Sequence, residues 1–227
     1  MNKRGVFISF EGVEGAGKST QAKLLAEYIV ELGYLVVLTR EPGGTPIAEQ
    51  IREILLKPGN AEMVDITELL LYLASRAQHV HQLILPALSA GKVVICERFS
   101  DATFAYQGYA RGFDLNALEQ MNRIATGGLE PDLTIFLNLG VEDGFHRKRG
   151  ADLDRLENEN SDFHNRVREG YLSIARRAPQ RVKVIDARGS IEDVHRRVRE
   201  CVDQQLQAFC TTKLFAQDFC FKKLVDN

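Results

Sequence analysis

The chain has only four cysteines among its 227 residues, Cys96, Cys201, Cys210 and Cys220, with no CxxC pair and no metal-ligand spacing to the five histidines. That scarcity excludes a zinc cluster and a disulfide framework, and it points to reduced thiols in a reducing compartment. Excess charge is missing too. Lys plus Arg number 29 against 31 Asp plus Glu, a net charge of −2, which removes the broad attraction that a nucleic-acid or membrane surface needs. Any anionic partner must be gripped locally. No apolar run approaches the ~18 residues of a membrane span, and the first one ends at Glu11, too short for a signal-peptide core. The expectation is a cytoplasmic protein with no nucleic-acid and no membrane partner. No repeat, low-complexity stretch or Pro/Ser-rich linker breaks the chain. One domain is therefore expected over residues 1–209, with 210–227 as a tail whose Phe215, Phe219, Phe221 and Leu224 suit an amphipathic turn.

What is present alternates. The apolar run Val6 to Phe10 meets the glycine cluster Gly12, Gly15 and Gly17, after which Leu24, Leu25, Tyr28, Ile29 and Leu32 recur on one helical face that Gly33 closes. The same strand, turn and helix grammar predicts strands at 35–39, 93–96, 133–139 and 182–186. It predicts helices at 46–56, 67–90, 115–126, 161–177 and 190–209, the second of these with Leu69, Leu70, Leu73, Ala77, Val80 and Ile84 inward. Continuous apolar strands call for burial on both faces. The fold class is thus α/β, a doubly wound five-stranded parallel sheet flanked by helices.

Gly12-Val13-Glu14-Gly15-Ala16-Gly17-Lys18-Ser19 fits GxxxxGK[ST] and falls between a strand and a helix N-terminus, with Thr20 just inside the helix. Glycines allow successive backbone N–H groups to face one concavity, and the helix dipole adds partial positive charge. Lys18 would bridge the outer phosphates and Ser19 would offer its hydroxyl to Mg2+. The expected ligand is a nucleoside triphosphate with magnesium, in a P-loop NTPase fold. A GTPase would need an early DxxG and an NKxD; the DxxG noted is Asp186-Ala187-Arg188-Gly189, very late, and NKxD is absent.

Two other segments sit at strand ends: Arg40-Glu41-Pro42-Gly43-Gly44-Thr45 and Glu97-Arg98-Phe99. Ligands of open α/β sheets bind at that edge, so Arg40 and Arg98 would border the same crevice and could clamp a second phosphate. The bland alternative is that each arginine pairs with a neighbouring acid. Tyr72 and Arg76, four apart, share a helix face and suit a flat carbonyl-bearing ring, with core packing among Leu69, Leu70 and Leu73 as the other reading of Tyr72. Arg147-Lys148-Arg149 and Asp154-Arg155-Leu156-Glu157 form an arginine-rich connection, over 147–157, in an otherwise neutral chain. Mobile cations there would neutralise oxygens as charge shifts in phosphoryl transfer.

FEGVEGAGKST, REPGGT, ERFSDATFAYQG and PDLTIFLNL, in that order, resemble the motifs of the bacterial thymidylate kinases over residues 5 to about 205. The resemblance implies transfer of the γ-phosphoryl of ATP to dTMP with Mg2+, in a homodimer. It implies that Glu14 receives the acceptor's 3′-hydroxyl and that Arg98 holds the dTMP phosphate near the transferred group. Glu97 would help to organise the magnesium shell. Tyr72 and Arg76 would flank thymine, Thr103 and Gln107 would contact the base, and Tyr106 would crowd the 2′ position. A lid arginine, Arg147, Arg149 or Arg155, would be catalytic, because Gly15-Ala16 leaves the P-loop without one. Asn138 stands where relatives often carry aspartate, and Glu97 and Phe99 replace a common Asp and Tyr/His. The rival readings are a kinase of the same fold with another acceptor and a non-catalytic ATP-binding switch.

Overall fold

The computed structural model describes residues 4–147 and 154–212, with side chains as far as residue 204. Its strands are β1 (Phe7–Glu11), β2 (Val36–Arg40), β3 (Val93–Glu97), β4 (Leu133–Asn138) and β5 (Val182–Asp186). All pair in parallel, in the order β2-β3-β1-β4-β5. The helices are α1 (Lys18–Glu31), α2 (Pro46–Leu56), α3 (Asp65–His79), α4 (Leu85–Ser89), α5 (Ser100–Thr103), α6 (Leu115–Thr126), α7 (Val141–Arg147), α8 (Ser161–Arg177) and α9 (Ile191–Thr212). The architecture is the expected α/β one.

The chain order reverses beside β1, the central strand, which is buried at every position. Its carboxyl end is therefore the switch point where an open sheet leaves a crevice. The long helix expected over 67–90 is broken: α3 passes into a π turn at Val80–Ile84 before α4, which carries Pro86 in its first turn. The missing N–H of Pro86 cannot extend the regular ladder. Leu69, Leu73, Val80 and Ile84 are buried as expected, whereas Leu70 is 51% exposed. The full burial expected of the strands holds for β1, and for β3 and β4 up to their last residues, Glu97 and Asn138, and fails at the edges, where Leu38 in β2 and Val184 in β5 are exposed. An edge strand has one neighbour, and its helix layer stops short of it.

A second π turn, Phe104–Ala110, follows α5 and packs on α8, which begins just past the lid segment. Arg149 lies outside the described residues. So does the chain beyond Thr212, including Phe215, Phe219, Phe221 and Leu224, whereas residues 210–212 continue α9 past the expected end at 209. Among the described residues, no helix is long and apolar enough to cross a membrane.

Candidate active site

Helix α1 begins at Lys18 immediately after Gly17, which takes the left-handed conformation (φ 88°) that glycine adopts at no steric cost. Gly15 (φ 71°) serves a different need. A Cβ there would lie 2.1 Å from the carbonyl oxygen of Gly144, and one on Gly144 would lie 2.2 Å from that of Glu14. Paired glycines thus let α7 lean on the phosphate loop, bringing Arg147, at its end, to the wall of the same cavity. Arg147 Nη2 donates to the Ala187 carbonyl (3.0 Å).

Lys18 is buried, with its ammonium donating to the Val13 carbonyl at 2.9 Å. Burial and the nearby Arg98 lower its pKa. Glu14, Glu97 and Glu11 act in the opposite sense without outweighing this. Ser19 Oγ donates to Glu97 Oε2 at 2.7 Å, so a hydroxyl and a carboxylate meet at the mouth. Two hard oxygens beside a phosphate site suit Mg2+, which takes one or two protein oxygens and fills its shell with phosphate and water.

Against the cradle stands Arg98, among the described residues the one non-glycine with a positive φ (67°). For a side chain with a Cβ this conformation costs on the order of 1–2 kcal/mol. It is held from both sides. Arg98 N donates to the Phe10 carbonyl (2.9 Å), and Phe99 N donates to Glu11 Oε1 (2.7 Å). The guanidinium then spans Gly12 O (3.2 Å), the Tyr171 hydroxyl (3.4 Å) and Glu14 Oε1. Burial alone would lower the Arg98 pKa, but Glu14, Tyr106, Tyr171 and Glu11 raise it well above the ordinary value. Tyr106 also donates to Glu14 (3.2 Å) while the Arg98 guanidinium lies over its ring. Arg40 pairs with Glu49 (3.0 Å) at the rim, half exposed. Both strand-end arginines therefore have the acidic neighbours of the bland alternative, and both still line the cavity.

Arg76 is 2% exposed and anchors a network. Nε donates to Glu41 Oε2 (2.7 Å), Nη1 to Thr103 Oγ1 (2.7 Å) and Asn122 Oδ1 (2.6 Å), and Nη2 to the Phe99 carbonyl (3.0 Å). A guanidinium has five N–H groups, so one on Nη2 is left for the cavity. Glu41 is held on its other oxygen by His79 (3.0 Å), whose Nε2 meets Thr39 Oγ1 (2.7 Å). Burial pushes the Glu41 carboxyl up, but Arg76 and His79 outweigh it and leave its pKa below ordinary. Gln107 donates to the buried Glu68 (2.9 Å), which also holds Arg111 and Arg155.

Lys18, Arg40, Tyr72, Arg76, Arg98 and Tyr106 all border one cavity of about 460 Å³, as do Glu14, Ser19, Thr20, Glu97, Thr103, Gln107 and Arg147. Arg155 is placed elsewhere: its guanidinium is tied to the Leu55 carbonyl (3.0 Å) and to Glu68 (2.6 Å). Sequence reasoning missed the carboxylates Glu11, Glu41 and Glu68, together with Tyr171 and Gly144. Weak signals existed for two of them. Glu11 is a charge closing an apolar strand, and Glu68 lies one helical turn before Tyr72.

A family model described as thymidylate kinase matches residues 10–198. The chain is 53% identical over 201 residues to the thymidylate kinase of Symbiobacterium thermophilum, covering 88% of this chain and 94% of that one. It is 51% identical over 199 residues to that of Syntrophotalea carbinolica, covering 85% and 92%. The crystal structure of thymidylate kinase from Ehrlichia chaffeensis superposes with a TM-score of 0.72 at 36% identity, over 88% of this chain and 99% of that one.

Proposed function

The chain belongs to the thymidylate kinase family, and from that premise we propose that it transfers the γ-phosphoryl of ATP to dTMP, giving dTDP and ADP. The observation that carries the reading is the single cavity bordered by the P-loop on one side and by Arg98, Arg76 and Tyr72 on the other. Two nucleotides bound there meet phosphate to phosphate. Transfer is then in line between oxygens, and the protein's work is to position and to stabilise charge.

In this reading the cradle from Gly12 to Thr20 holds the ATP phosphates, with Lys18 on the outer pair. Ser19 and Glu97 would hold Mg2+, which would supply positive charge to neutralise the phosphoryl oxygens. Arg98 grips the acceptor phosphate, with Arg40 at the rim. Glu14, placed by Arg98 and Tyr106, accepts the 3′-hydroxyl, and Tyr106 crowds the 2′ position. Tyr72 stacks on thymine while the remaining Arg76 N–H donates to a ring carbonyl, flanked by Thr103 and Gln107. A cytosine would present an amino group to that donor, leaving it unpaired at a cost of about 1–3 kcal/mol. Arg147, beside the cradle, and Arg149 are the lid cations for the transferred group. Arg155 anchors the lid's far end through Glu68.

The protein acts in the cytoplasm as a homodimer, a reading supported by the exposed Ile47 and Ile54 of α2 and Ile66 and Leu70 of α3. Sedimentation equilibrium tests it, with a monomer as the contrary result. For the activity, an ATP-dependent assay with dTMP, dUMP, dCMP, ribose TMP and thymidine side by side is decisive. The highest kcat/KM is expected with dTMP. A preference for thymidine would overturn the phosphate clamp, and ADP release independent of acceptor would favour a switch.

A further inference from the structure

We infer that Glu11, just ahead of the phosphate cradle, and Tyr171, on α8, are positioning residues that aim Arg98 at the acceptor phosphate. The inference rests on the reading of Arg98 as the phosphate clamp.

Glu11 closes β1 and is fully buried, so its carboxyl group must be satisfied within the protein. Its two oxygens have separate tasks. Oε1 takes the Phe99 N–H at 2.7 Å, one residue past the positive-φ Arg98, and Oε2 takes the Tyr171 hydroxyl at 2.7 Å. Without the first bond, the turn that swings Arg98 out of the strand direction loses a fastening that β3 pairing cannot replace, since the ladder contact ends at Arg98 N. The second bond fixes the Tyr171 hydroxyl, whose oxygen in turn receives Arg98 Nη1 at 3.4 Å.

Tyr171 comes from α8, the helix that starts after the lid segment, and stacks at 5.1 Å on Phe136 of β4. Its place is therefore set by the sheet. Backbone and guanidinium of Arg98 are thus referenced to one buried carboxyl group, which closes the central strand and is not among the side chains that line the cavity. A residue with this role alters how well an acceptor phosphate is held and leaves base recognition and the donor cradle alone.

The test measures KM and kcat for dTMP, KM for ATP, and competitive inhibition by thymidine, which shares the base and sugar but lacks the phosphate. It uses the full chain as the parent, Arg98→Ala, Tyr171→Phe, Glu11→Ala and Glu11→Gln. Tyr171→Phe keeps the ring and its stacking and should raise KM for dTMP about 10-fold, the loss expected of one hydrogen bond to a charged group. Thymidine inhibition and KM for ATP should stay within about 2-fold in the same variant. Glu11→Ala should lose more, and Glu11→Gln, which still offers an oxygen to Phe99 N, should restore most of that loss.

Parental dTMP affinity in Tyr171→Phe, alongside a large loss in Arg98→Ala, would overturn the inference and leave the clamp intact. Equal losses for dTMP, thymidine and ATP would also overturn it, by showing general loosening. An Arg98→Ala enzyme with normal dTMP kinetics would instead overturn the clamp. Should Glu11→Ala fail to fold, Tyr171→Phe carries the decision alone.

Discussion

The two walls of the cavity are built by opposite means. The donor wall is mostly backbone: glycines turn N–H groups inward, a helix begins, and one lysine waits with its ammonium on the Val13 carbonyl. The acceptor wall is mostly side chain. Arg76 and Gln107 are held by buried carboxylates, Glu41 and Glu68, while Arg98 pairs with Glu14 and is steadied by the bond from the next residue's N–H to Glu11. A backbone nest recognises phosphate by local geometry and needs little support. A guanidinium on a flexible stem needs a fixed partner, or the entropy of its rotamers opposes ordering at the site. Specificity for one acceptor is therefore stored as much in the groups that hold these side chains as in the side chains themselves.

The largest effects should fall on the cations of the two walls, and they should differ in kind. Arg98→Ala is expected to lose on the order of 10³ or more in kcat/KM for dTMP, with both affinity and turnover falling, as for removal of a charge-stabilising arginine. Lys18→Ala should lose mainly kcat. Steady-state kinetics with each substrate varied separates them, and similar KM for dTMP in both variants would erase the distinction between walls. Gly144→Ala probes the donor wall without touching a ligand. Its Cβ would collide with the Glu14 carbonyl and push α7 off the loop. Since misplacement by about 1 Å can cost ~10²-fold, kcat should fall by about that much while dTMP binding, measured by calorimetry, holds.

The same contrast explains what could be read from sequence. Gly12 to Ser19 is contiguous, so one segment of chain displays the whole donor wall, and the alternation of apolar runs predicts every strand and most helix ends. Arg40 and Arg98 were legible from strand ends, and Tyr72 and Arg76 from the family resemblance, with which their helical spacing agrees. Their supports were not. Glu11 and Phe99 are 88 positions apart, and Tyr171 lies 160 from Glu11; no local pattern joins residues that only the sheet brings together. Glu41 was visible inside REPGGT but carried no sign of whether it would face solvent or Arg76. The break of the long helix at Val80–Ile84 and the exposure of Leu70 escaped for a related reason. Both depend on what packs against the helix, which periodicity does not report.

Smaller effects test the supports. Glu41→Gln leaves the Arg76 charge buried without its counter-ion, a change that typically costs ~3–5 kcal/mol. Thermal melts should show a clear loss, and the surviving enzyme should discriminate less between dTMP and dCMP. His79→Gln, which can still bridge Glu41 and Thr39, should cost much less. Equal melting temperatures for parent and Glu41→Gln would mean that the network is not holding Arg76.

The three carboxylates also divide by sign, which gives the most delicate test. Glu41 and Glu68 have lowered pKa values: burial pushes each up, but Arg76 and His79 in one case, and Gln107, Arg111 and Arg155 in the other, pull it down further. Their contribution to stability is present above the ordinary carboxyl value and is lost as pH falls. Glu11 goes the other way, from an ordinary 4.5 up to about 8, because burial and the nearby Asp101 outweigh Arg98 and the bonds from Tyr171 and Phe99. The folded chain therefore holds a proton there that the unfolded chain has released. Stability from this group is full below pH 4.5 and drains away as pH rises toward about 8. Glu11→Gln mimics the protonated form at every pH, so its melting temperature minus the parent's should climb between pH 5 and about 8 and then level. Melting curves that run parallel across this range would show that Glu11 titrates as an ordinary carboxyl. The acceptor wall would then be held by three anions, with no neutral acid among them.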